Sequence, residues 1–226
     1  MLKPHRTAVG DVVVSDEDPH PAATRAKIKP IRDQRWYGRA AFNIRHPREG
    51  PFIRYSRLMR ADDAYLTDVR VQFEKMKQLA EGAIAQVTDD QLLVSLDPES
   101  NSLAVIMKHM AGNLRSRFTD FLTTDGEKPD RNRDGEFEVD TATRGQILAD
   151  WESGWKVLFA AMTSLTPDDL LRDVFIRGER HSVIQALDRQ LTHHSYHVGQ
   201  IVFLAKHLRS AEWQTLSMPR RRITRE

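Results

Sequence analysis

Three histidines crowd into Leu191-Thr-His-His-Ser-Tyr-His-Val198, and a fourth, His109, lies far upstream. His193 and His197 are four residues apart. On a helix that spacing sets them about 40° and one turn apart, so both imidazoles can reach one ion. A helix offers two ligands to a zinc-like metal in this way, and a third must come from elsewhere. His109, flanking the stripe of Ile106, Met110 and Asn113, is the best donor. The chemistry would be that of a three-His centre with open positions for water or substrate. Spacing alone does not select the members. At about 100° per residue, His194 lies nearer the centre of the helix's apolar arc than His193 does, so a His194/His197 pair competes. A His pair with no acidic residue in the motif is also often only solvated or hydrogen-bonded.

The chain of 226 residues contains no cysteine. That excludes a disulfide scaffold, a Cys-ligated zinc finger, an iron–sulfur centre and a thiol nucleophile. Any metal site must use His, Asp or Glu, and any thiol chemistry must use a thiol brought from outside. The formal net charge of +2 argues against nucleic-acid binding, which needs a surplus of Lys and Arg. This near-neutrality averages two unlike pieces. Residues 1–58 hold 12 basic against 6 acidic side chains, leaving 22 against 26 for residues 59–226. The basic tail Pro219-Arg-Arg-Arg-Ile-Thr-Arg225 could join the N-terminal piece in touching nucleic acid, but short basic tails are usually only solvated.

Six of the ten prolines fall in residues 1–58, which predicts a basic, Pro-rich and mostly disordered extension, outside the native product if translation starts at Met59. The apolar runs Ala8–Val14, Val157–Met162 and Ile201–Ala205 are far shorter than the roughly 18–20 residues of a membrane span, so a soluble, cytoplasmic protein is expected. From Met59 onward the period is helical. Tyr65 to Val87 mark a first long helix, followed by a short capped turn at Thr88-Asp-Asp-Gln91. A second starts with Asn101 or Ser102 as N-cap and runs through Phe121. Residues 127–140 have no period and read as a long crossover. A third helix spans about 143–164 with Trp151 and Trp155 as core anchors. A small extended arm is expected within 173–180, and a last helix from near Ser182 to Leu208. The expected fold is all-α: a four-helix bundle over 59–226, with the crossover between its second and third long helices.

The segment Leu191-Thr-His-His-Ser-Tyr-His-Val-Gly-Gln-Ile201 and the stretch Met107-Lys-His-Met-Ala-Gly-Asn to Thr-Asp-Gly-Glu-Lys-Pro129 resemble the DinB/YfiT-like superfamily. Within it they are most similar to an uncharacterised bacterial branch. The resemblance covers about Met59 to Leu208. It implies a four-helix bundle whose metal site takes one His from the second helix and a His-x-x-x-His pair before Gly-Gln on the fourth. In this sequence those are His109, His193 and His197, with Gly199-Gln200 in register. Two departures stand out: His194 directly follows the first ligand of the pair, and Asp130 follows Glu-Lys-Pro where close relatives would carry an aromatic residue.

The resemblance further implies a divalent ion, Zn, Ni or Fe, and a small-molecule substrate handled by a thiol-dependent transferase using a low-molecular-weight thiol, or by a hydrolase. Hydrolysis would draw on water acidified by the ion to a pKa of about 7. The rival reading is a non-catalytic dimeric bundle, its metal site structural or vestigial, acting in stress response or protein interaction. Glu127, Asp134 and Glu136 are candidate general bases if the crossover folds over the site. Gln200 and Asn113 are candidates to hydrogen-bond a ligand imidazole or a bound water, or are plain polar helix residues, and Tyr196 either donates to a substrate or packs. Gly199, inside a helix, calls for close helix approach or tight packing to offset roughly 1 kcal/mol.

Overall fold

A computed structural model describes residues 60–138 and 142–218. The expectations for residues 1–58 and for the basic tail from Pro219 onward lie outside the described residues. The described residues form five α-helices: α1 (Ala61–Ile84), α2 (Asp89–Leu92), α3 (Leu103–Phe118), α4 (Arg144–Ser164) and α5 (Val183–Arg209). A two-stranded antiparallel hairpin, β1 (Asp173–Ile176) and β2 (Glu179–Ser182), precedes α5. None of the described helices is long and apolar enough to cross a membrane.

Local chemistry sets the helix starts. Thr88, Thr143 and Ser182 each form a capping box, with Gln91, Gln146 and Gln185 reaching back to the cap's own backbone N–H. Ser102 caps α3 by accepting from the Val105 backbone N–H at 3.3 Å. The long helices close a ring in which α3 packs on α4, α1 packs on α5, and the α3–α5 and α1–α4 contacts complete the bundle. The core includes Phe73, Leu103, Met107, Met110, Leu114, Trp151, Trp155, Leu187 and Ile201, all at most 1% exposed. Gly154 lets α4 come close to α3, because a Cβ there would lie 2.8 Å from the Ala111 Cα.

Two departures from the helical pattern matter for the site. α3 stops at Phe118 instead of continuing through Phe121. Asp120 takes a φ of 48° and turns the chain, and its carbonyl accepts from the N–H groups of Thr123 and Thr124. Phe121 is still buried at 8% exposure, so the apolar signal was sound while the helical path was not. Secondly, α3 is buried on nearly every side: only Lys108 and Arg115 of its 16 residues escape burial. Its outer face is covered by the crossover. Ser116 Oγ donates to the Gly126 carbonyl at 2.8 Å and accepts from Lys128 N–H at 3.1 Å, and a 3₁₀ turn at Asp134–Phe137 packs on the helix.

Gly199 answers neither expected reason, since a Cβ there would meet nothing within 4 Å among the described residues. Gly199→Ala is therefore expected to stabilise the protein by about 1 kcal/mol, raising Tm by about 2–4 °C in thermal unfolding.

Candidate metal centre

α3 and α5 bring His109, His193 and His197 together, with one ring nitrogen of each lying within 4.8 Å of the other two. His109 Nε2 is 3.3 Å from His193 Nε2, which is 3.1 Å from His197 Nε2. Two imidazole nitrogens bound to one tetrahedral ion at about 2.1 Å stand about 3.4 Å apart, so these spacings suit shared coordination. The outer nitrogens of two rings are already engaged. His109 Nδ1 lies 2.9 Å from Glu136 Oε2, and His197 Nδ1 lies 2.8 Å from Gln200 Oε1. With each Nδ1–H donating outward, the Nε2 atoms of His109 and His197 turn lone pairs towards the centre. His193 has at most one proton to offer them both.

Burial pushes the His193 imidazole down to about 3, helped by His197, His109, Arg117 and Arg189. Burial also lowers His197, against the hydrogen bond to Gln200. Both rings are neutral at pH 7, the state that binds metal. These three histidines are positioned to bind a metal ion, and the donor set fits one.

His194 is elsewhere. It is fully buried, edge-on to Phe73 and Trp155 at ring separations of 6.0 and 5.3 Å. The Gln190 amide donates to its Nδ1 at 2.7 Å and to Asn113 Oδ1 at 2.9 Å. Burial holds the His194 imidazole well below its ordinary range. Asn113 thus joins this core network and touches no ligand imidazole, whereas Gln200 does.

The crossover candidates are spread over different tasks. Glu136, 6% exposed, receives Arg131 Nε at 2.7 Å in addition to His109. Burial would raise its carboxyl, but the His109 and Arg131 hydrogen bonds outweigh this and hold it below the usual carboxylate range. It orients a histidine and is not free to act as a base. Gly112 makes room for it, because a Cβ there would come within 2.7 Å of Glu136 Cδ. Glu127 pairs with Arg117 and Arg177, each at 3.0 Å, and with Arg131 at 3.3 Å. Asp134 is exposed in the 3₁₀ turn. Phe137 stacks on His109 at 5.4 Å.

A cavity of about 700 Å³ opens beside His109 and His193, lined also by Tyr196, Thr192 and Gln190. Tyr196 is 64% exposed at its rim, so it is not core packing. Five arginines complete the wall: Arg117, Arg131, Arg133, Arg177 and Arg189. Sequence reasoning missed them. They come from α3, the crossover, the hairpin turn and α5, with no common period to betray them.

No curated protein is significantly similar to this chain. One family does match, over residues 60–222, an interval that takes in the whole bundle and all three clustered histidines. The chain therefore belongs to that family, which is described as proteins of unknown function (DUF1572).

Proposed function

We propose that this protein is a DinB-like, metal-dependent enzyme acting on a small molecule, a thiol-dependent transferase or a hydrolase, with His109, His193 and His197 as ligands to Zn, Ni or Fe. The carrying observation is the convergence of three Nε2 atoms, one from each imidazole, at spacings that one shared electron-pair acceptor would satisfy. A divalent ion held there supplies Lewis acidity and open positions for an oxygen or sulfur donor. The protein's own residues do the rest. Glu136 and Gln200 hold the His109 and His197 rings in the tautomer that presents Nε2 inward. The crossover, tied to α3 through Ser116, carries Glu136 to its place. Gln190, bonded to both Asn113 and His194, joins Asn113 in giving the cavity a fixed neutral polar floor.

Elemental analysis of protein purified without chelator or affinity nickel tests this reading. About one divalent ion per chain is expected. Substoichiometric metal that added Zn²⁺, Ni²⁺ or Fe²⁺ does not restore would sink it. The Glu136 contact gives a second test. Gly112→Ala pushes the Glu136 carboxylate off His109 and is expected to weaken metal affinity by about 10-fold or more, as loss of such supporting contacts does. Chelator competition reads this out, and an unchanged affinity would mean that Glu136 does not set the ring.

A further inference from the structure

We propose that the cavity beside the histidines is an oxyanion subsite, and that the molecule handled there is a small organic acid whose carboxylate or phosphate is gripped by Arg133 and Arg189. As a statement about substrate it rests on the function proposed above; as a statement about binding it stands on the cavity alone. The volume of about 700 Å³ suits a small molecule. Its wall carries five guanidinium groups and no carboxylate. This runs against the composition of the bundle, since residues 59–226 hold 22 basic against 26 acidic side chains. Gathering like charges is unfavourable unless something neutralises them.

Glu127 answers Arg117, Arg131 and Arg177, and Glu136 answers Arg131 again. Among the described residues Arg133 and Arg189 have no carboxylate partner. They approach the cavity from opposite components, the crossover and α5, and leave two permanent cations beside His193. Arginine's planar fork matches a carboxylate or phosphate through paired hydrogen bonds.

The hairpin supplies an independent observation. Its turn places Arg177 and Gly178 at φ of 58° and 74°, positions that Asn-Gly would fill with less strain than Arg-Gly. Asp125 accepts from both turn N–H groups, at 2.8 and 2.7 Å, and Gly126 N–H donates to the Phe175 carbonyl at 2.7 Å. The turn is thus fastened to the crossover with Arg177 at the cavity wall. A residue that strains the turn is placed where its guanidinium pairs with Glu127 and walls the cavity.

The test is calorimetric titration of malonate and of inorganic phosphate into the full chain, both chelator-treated and metal-loaded, with malonamide as the uncharged control. The expected result is that one or both anions bind the chelator-treated protein, malonamide does not, and Arg133→Ala and Arg189→Ala each weaken binding at least 10-fold while Arg189→Lys recovers part of the loss. The tighter anion identifies the head group. Both arginines are exposed, so circular dichroism of the variants is expected to be unchanged. Anion binding that requires metal and ignores both arginines would overturn the subsite while sparing the metal centre. Arginine-dependent anion binding in a protein that never takes up metal would uphold the subsite and sink the metal reading. No binding of either anion to any form overturns the proposal.

Discussion

Replacing His109, His193 or His197 singly with alanine is expected to lower affinity for a divalent ion by more than 100-fold. The estimate comes from four-ligand zinc sites, where about 10–16 kcal/mol is shared among the ligands, or roughly 3 kcal/mol each. Here the loss falls on a set of three, with no cysteine in the chain to substitute. Removing His193 takes away the nitrogen closest to both others, at 3.3 and 3.1 Å. Metal-dependent stabilisation gives a second readout, because an ion that binds only the folded state raises Tm according to its concentration and affinity. Each variant is expected to lose that rise while melting, when metal-free, near the metal-free parent. Retention of stoichiometric metal by all three would show that the cluster is not the ligand set.

His194→Ala is expected to do the reverse, keeping the metal and destabilising the fold by about 3–5 kcal/mol. An aromatic-sized side chain lost from a packed core leaves a cavity of that order of cost. The ring is fully buried against Phe73 of α1 and Trp155 of α4, so two helices would lose a shared contact. The Gln190 amide would also lose one of its two acceptors. For a domain of this size the fall in Tm is about 6–20 °C. Thermal unfolding paired with metal analysis separates the two outcomes. Loss of metal with little change in Tm would move the pair to His194/His197, the alternative that helical angles leave open.

The course of the main helices was legible because it depends on local signals. Periodic apolar residues mark α1, α4 and α5, and Thr88, Ser102 and Ser182 start α2, α3 and α5 through short-range capping hydrogen bonds. The end of α3 was less legible. Phe121 continues the apolar period, while the left-handed turn at Asp120 is satisfied by backbone hydrogen bonds to Thr123 and Thr124. The burial of α3 on all sides was hidden too, because what covers it is an aperiodic crossover, held by single contacts such as Ser116 with Gly126 and Lys128.

By itself, the sequence determined an all-α bundle, a histidine cluster with a distant partner, the absence of any internal thiol, and a charge asymmetry between residues 1–58 and the rest. Only the tertiary structure separated His193 from its neighbour His194. Adjacent helix positions point about 100° apart, and which one meets the core depends on where α1 and α4 place Phe73 and Trp155. Tertiary structure likewise turned Glu136 from a candidate base into the partner of His109 and drew five arginines around one cavity. Those contacts join residues far apart in the chain, and their energy depends on distance and burial, which spacing along the sequence does not encode.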